Sequence, residues 1–263
     1  MKRLASRSNR LFLSVLVLML SWGAAPAWAC GGPSALPTAA TVDLDDDVAQ
    51  WGVWCGGAPI TGLTASAQSL LVDYRHSGGD SSEFAHVYRN LLPDLTANTF
   101  KLNLDFNYQP GGGSATADAV QFSMSAWRNQ TRYEWAVEWI NQGTTNTWRF
   151  WDGTKFVDLG VSRDLSPGVW HKVELVGTIT TTGQVRYTSF KVDGHTSQIR
   201  LETNPVAYPG WPDQLAVATT IVGTGGEAFS MYLDEVDFSR STVGNPSVDN
   251  GAAQAKATKT PKK

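Results

Sequence analysis

Charge is scarce in this chain. Asp, Glu, Lys and Arg make up 17% of its 263 residues, against a usual ~25% for soluble domains. The balance is a formal −3, so there is no basic footprint for nucleic acid. Cysteine is scarcer still. Two residues, Cys30 and Cys55, are too few for a disulfide-dense scaffold or a zinc ribbon, and no thiol or imidazole set fits zinc. Long apolar runs are missing too. The longest, residues 11–20 (LFLSVLVLML), falls short of the ~20 residues a membrane helix needs. There is no Gly-x-Ser-x-Gly elbow and no P-loop. Disorder of the whole chain is excluded from the other side: 42% of residues are apolar and 11% aromatic, enough to build a core.

What is present begins with an address. Lys2, Arg3, Arg7 and Arg10 precede the apolar run, and Ala27-Trp28-Ala29 places small residues at −3 and −1 of a cleavage site. Residues 1–29 read as a secretory signal peptide, which implies an extracellular or periplasmic protein beginning at Cys30. Lipid anchoring at that cysteine is the alternative. It is disfavoured because Trp28 is bulky where lipoprotein signals want a small residue. The plainer expectation is a Cys30–Cys55 disulfide, closing a loop that stabilises by ~3 kcal/mol. Residues 30–40 read as a flexible lead-in and 41–242 as one domain. Residues 243–263 are polar and lysine-bearing and read as a disordered basic tail.

Within the domain the apolar period is two. Phe100, Leu102, Leu104 and Phe106 alternate with Lys101, Asn103, Asp105 and Asn107. Val120, Phe122 and Met124 do the same, as do Tyr133, Trp135, Val137 and Trp139. Asp152-Gly153 and Asp193-Gly194 are hairpin dipeptides, and 91–97 has room for one short turn. About twelve strands predict an all-β protein, two antiparallel sheets packed as a sandwich. In the last strand the phase slips between Asp234 and Glu235, which predicts a bulge.

Four segments carry a resemblance. They are Asp43-Leu44-Asp45-Asp46-Asp47 with Trp51, Trp170-His171-Lys172-Val173-Glu174-Leu175, Phe190-Lys191-Val192-Asp193-Gly194, and Tyr232-Leu233-Asp234-Glu235-Val236-Asp237-Phe238. In this order the chain resembles the concanavalin A-like lectin/glucanase superfamily, in its laminin-G-like branch. The resemblance implies a two-sheet antiparallel jelly-roll sandwich, frequent glycan binding and, in many members, a structural calcium. Glycoside hydrolases and polysaccharide lyases share the fold, so fold alone does not decide catalysis.

The site candidates follow. The glucanase strand Glu-x-Asp-x-x-Glu is absent. Glu134 and Glu138 share a strand face, but four residues of strand put them ~13 Å apart, beyond the ~5.5 Å or ~6.5–9.5 Å of glycosidase pairs. His86 and Tyr88 share one face, Arg89 the other; a His beside a Tyr is a candidate base and acid for a lyase, and equally a plain polar pair on a sheet. Five tryptophans (127, 135, 139, 148 and 151) crowd into 25 residues. Trp148 and Trp151 have opposite parity, which predicts that only one faces the core. Trp151, with Arg149, Arg132, Asn141 and Gln142, is the expected sugar-binding set: indole stacks on sugar C–H faces while amides and guanidiniums bond hydroxyls. Asp43, Asp45 and Asp234 are the expected calcium ligands, because first and last strands of a jelly roll lie side by side and calcium wants 6–8 oxygens. His171 reads as a strand-edge residue. The expected activity is non-catalytic binding of carbohydrate. A polysaccharide-degrading enzyme and a protein-binding adhesion module are the alternatives.

Overall fold

The structure is a computed structural model and describes residues 41–44, 50–56, 60–66, 69–75, 84–110, 119–142, 145–222 and 228–242. The signal segment, lead-in, Cys30, Asp45 and basic tail lie outside them. Seventeen strands are present among the described residues. They are β1 (Thr41–Asp43), β2 (Gly52–Gly56), β3 (Ile60–Ser66), β4 (Ser69–Arg75), β5 (Phe84–Leu91), β6 (Thr99–Pro110), β7 (Ala119–Arg128), β8 (Thr131–Gln142), β9 (Thr145–Trp151), β10 (Phe156–Ser162), β11 (His171–Ile179), β12 (Val185–Val192), β13 (His195–Gln198), β14 (Glu202–Thr203), β15 (Val206–Ala207), β16 (Gln214–Val222) and β17 (Ala228–Ser241).

They form two antiparallel sheets. The outer sheet runs β13-β12-β11-β6-β17-β4-β3, with β1 on β17 and β14 on β12. The inner sheet runs β10-β9-β8-β7-β16-β5-β2, with β15 on β8. The chain passes from one sheet to the other repeatedly, so strands distant in sequence, such as β6 and β17, become neighbours. This is the two-sheet antiparallel jelly-roll sandwich that the alternating pattern predicted.

The period of two is what builds it. Leu102, Leu104 and Phe106 of β6 are buried between the sheets, while Lys101 and Asp105 on the alternate parity reach Glu174 and Lys172 in ion pairs. Across the gap, Phe106 meets Phe122 at 4.8 Å between ring centres, Phe100 meets Trp135 at 5.1 Å and Tyr108 meets Trp139 at 5.5 Å. Such tilted pairs add ~0.5–1.5 kcal/mol each beyond area burial.

The predicted bulge is there. Register shifts between Asp234 and Asp237, and Glu235 takes φ 51°. That one extra residue moves Val236 and Phe238 onto the core face, where both are buried. Asp193-Gly194 forms the expected tight turn, with φ 47° and 83°. Asp152-Gly153 does not close a two-residue loop. Trp151 pairs with Phe156, and the four residues between are organised by Asp152 Oδ1, which accepts from the Thr154 and Lys155 amides. Residues 91–97 form a bend rather than a helical turn, because Asp94 Oδ1 accepts from the Thr96 and Ala97 amides. His171 is no edge residue. It opens β11, a strand flanked by β6 and β12, and is buried, with Nδ1 2.8 Å from Asp193 Oδ2 and Nε2 accepting from the Ser166 amide at 3.0 Å.

Candidate functional site in the recess of the inner sheet

The face of the inner sheet turned away from the core is polar, yet it is not open to water. Every residue of β16 is buried, although alternation sends Leu215, Val217 and Ile221 to the core and Ala216, Ala218 and Thr220 outward. A strand buried on both faces, with small and hydroxylated residues on one of them, marks a recess. Register sets out its rows. Glu134, Ser125, Ala216 and Asn90 lie abreast across β8, β7, β16 and β5; so do Ala136, Ser123, Ala218 and Tyr88, and Glu138, Gln121, Thr220 and His86. The small middle residues form the floor. Longer side chains on β8 and β9 rise on one side and those of β5 on the other.

On the β8–β9 side the carboxylates are buried, with Glu134 8% and Glu138 5% exposed. Glu138 accepts from Gln121 Nε2 at 2.8 Å and from Arg149 Nε at 2.9 Å, and it also pairs with Arg149 Nη2. Burial pushes its pKa up; Arg149 and Gln121 work against that rise. Glu134 sits 3.0 Å from Arg132 Nη2. Burial raises its pKa as well, opposed by the Arg132 charge.

On the β5 side, His86 Nδ1 lies 2.7 Å from Thr220 Oγ1, and its ring stacks on Tyr88 at 5.7 Å. Burial, reinforced by the positive charge of Arg132, brings His86 down to about 4, so it is neutral at physiological pH. Burial raises the Tyr88 phenol. The neighbouring strand accommodates that phenol because residue 52 is glycine: a Cβ there would stand 2.5 Å from the Tyr88 ring. Arg89 takes the opposite parity, as alternation requires. It is buried and donates to the Leu44 carbonyl and, at 3.2 Å, to Gln50 Oε1.

One end of the recess is aromatic. Trp127 stacks on Trp211 at 6.2 Å, Trp211 meets Tyr208 edge-on at 5.1 Å, and the Arg132 guanidinium lies 5.5 Å from the Tyr208 ring centre. All three rings are half-buried. The short strand β15 brings Tyr208 here by pairing Val206 with Arg132.

The sequence-derived sugar set is only partly assembled. Arg132 and Arg149 stand on the recess face. Trp151 has the predicted parity, away from Trp148, but its ring is not an open platform: it is 4% exposed and packs on Phe156 at 5.3 Å. Opposite parity did not mean opposite burial, because β10 covers that face at its end. Asn141 and Gln142 close β8 opposite Asn146 and Thr145, and their side chains lie outside the description. Trp135, Trp139 and Trp148 are core residues. Sequence reasoning missed Gln121, Thr220, Tyr208 and Trp211. A signal existed for the floor, in the alternation of Ser123 and Ser125 with Phe122 and Met124, and of Ala216 and Ala218 with Val217.

For the calcium set, β1 does lie beside β17, with Asp43 opposite Asp237. Asp234 is opposite Asp105, which already pairs with Lys172 at 3.1 Å, and its Oδ1 accepts from the Glu235 amide. Asp45 lies outside the described residues. Among those residues no three His, Cys, Asp or Glu side chains gather as a metal site. Cys55 is in β2 opposite Ala85, and the expected pairing with Cys30 lies outside the described residues.

The class this defines is an antiparallel jelly-roll sandwich with a recessed polar face. No family model matches the chain, and no curated protein does. Among solved structures it is similar to alginate lyase Aly36B in complex with alginate trisaccharide, at 11% identity and TM-score 0.47, covering 77% of this chain and 98% of that one. It is similar to a lectin from Bauhinia forficata in complex with GalNAc, at 13% and 0.48, covering 77% and 98%. It is also similar to lectin UEA-II complexed with galactose, at 11% and 0.47, covering 76% and 97%.

Proposed function

We propose that this is an exported carbohydrate-binding protein that holds a saccharide in the recess of the inner sheet without turning it over. The observation that carries this reading is the two-sided burial of β16 beneath a polar rim. A recess with a small-residue floor, paired carboxylates and guanidiniums on one wall and aromatic rings at one end offers what a sugar needs: directed hydrogen bonds and flat apolar surface. Arg132 and Arg149 keep their expected role, and the stacking role passes from Trp151 to Trp127, Trp211 and Tyr208. Export rests on residues 1–29, and a mass spectrum of the mature N-terminus tests both cleavage after Ala29 and the state of Cys30. A structural calcium held by Asp43, Asp45 and Asp234 belongs to the same reading; a melting midpoint unchanged by chelator removes it.

The test of binding is a glycan array and polysaccharide affinity gels with the mature domain. The expected result is retention on at least one polymer, weakened in Trp211→Ala. A flat response on every glycan overturns the reading. A second reading, polysaccharide cleavage, is favoured by one observation: a neutral His86 stacked on Tyr88 is a base next to a hydroxyl acid. Release of reducing ends or unsaturated products by the wild type, lost in His86→Ala, would establish it.

A further inference from the structure

The charged groups on the recess face decide what kind of saccharide it takes. Arg149 is ion-paired with Glu138, and Arg132 lies 3.0 Å from Glu134. Asp158 of β10 stands across from Arg149 and adds another negative charge. The remaining basic group, His86, is neutral above about pH 4. Two positive charges therefore face three carboxyls among the described residues. A uronate carboxylate entering here would be stripped of water without a cation of its own, and that desolvation is not repaid. A hydroxyl has the opposite need: one donor and one acceptor.

The recess holds both, buried. Arg132 Nε and Trp127 Nε1 are N–H donors without hydrogen-bond partners, and Glu134 Oε2, held 3.0 Å from Arg132 Nη2, is the acceptor beside them. Arg132 lies directly across from Trp127, and Glu134 lies across from Ser125 in the next row, so the three gather at the aromatic end. Buried polar atoms without partners are uncommon and point to a missing ligand group or water.

Resting on the reading of a saccharide site, we propose that its occupant is a neutral, hydroxyl-rich sugar chain rather than a uronate polymer, with hydroxyls that bridge Trp127 Nε1, Arg132 Nε and Glu134 Oε2. The carboxylates of Glu134 and Glu138 exclude acidic chains by cancelling both guanidinium charges.

The experiment is affinity electrophoresis of the mature protein through gels of neutral polysaccharides (β-glucan, galactomannan, xylan) and of uronate polymers (alginate, polygalacturonate), at low and high salt. Expected is retention by a neutral polymer at least ~10-fold stronger than by any uronate polymer, insensitive to salt. The variant Glu138→Gln keeps the shape of the wall and releases the Arg149 charge. It is expected to gain salt-sensitive retention on uronate gels. Stronger retention of the wild type by uronate than by neutral gels overturns the proposal and leaves saccharide binding standing. So does a folded Glu138→Gln variant whose uronate retention is unchanged. Retention on none of the gels overturns the saccharide reading and this proposal with it.

Discussion

Two residues in the core show how a single side chain joins the sheets. Tyr187 of β12 sends its hydroxyl across to the inner sheet, where it accepts from the Ala136 amide at 2.8 Å and lies 3.1 and 3.0 Å from the carbonyls of Ala136 and Trp151. Burial drives its pKa far up, so it stays a neutral phenol. Tyr187→Phe leaves those backbone groups unpaired inside the protein and is expected to lower stability by about 1–3 kcal/mol, read by denaturant unfolding. Gly177 is the second. A Cβ on it would stand 2.2 Å from the Trp135 indole, whose Nε1 donates to the Arg186 carbonyl at 3.0 Å. Gly177→Ala must displace that ring, with an expected loss of about 1–3 kcal/mol and a changed near-ultraviolet dichroism. His86 makes a pH prediction of definite sign. Unfolded, it takes a proton near ~6.5; folded, only near 4. The unfolded state therefore binds more protons between these values, and stability is expected to fall as pH drops through that window. His86→Gln should flatten that slope. None of this could be read in the sequence, where Gly177 and Tyr187 were ordinary strand positions.

At the scale of elements, the turn between β12 and β13 does more than reverse the chain. Asp193 occupies the left-handed region at φ 47° and its carboxylate takes the Lys172 amide at 2.9 Å and His171 Nδ1 at 2.8 Å. One side chain thus sets both the hairpin and the start of β11. Asp193→Ala is expected to destabilise by about 1–2 kcal/mol, and Asp193→Asn by less, since Asn tolerates the same backbone region. The Asp-Gly signal was legible because it is local. The β7–β8 turn was not, because Asn129 and Gln130 adopt φ 51° and 61° without a glycine to announce it. The bulge in β17 was legible as a phase slip, since core burial has to be recovered on the other parity.

Across the whole molecule, Asp94 ties the β5–β6 connection to the last strand through Arg240 at 2.9 Å. Burial pushes its carboxyl up, but the Ala97 and Thr96 amides, the Thr96 hydroxyl and Arg240 outweigh it and hold it at about 2. Its folded pKa is below the unfolded one, so its contribution is present above about pH 4 and lost as pH falls toward 2. Asp94→Asn is expected to lower the melting temperature at pH 7 and to narrow the gap from wild type at pH 2. The alternation of apolar residues by itself determined that the chain folds as packed antiparallel sheets, because a period of two has one stable burial on a pleated surface. It also determined which face His86, Tyr88, Arg89, Glu134 and Glu138 would take. Only the tertiary structure decided which strands stand side by side. The recess depends on that order: β16 places Thr220 between Gln121 and His86, β10 shuts Trp151 in, and β15 carries Tyr208 to Arg132. Parity along a strand is a local property, whereas strand neighbours, and therefore charge pairing and depth, are set by how the two sheets are threaded.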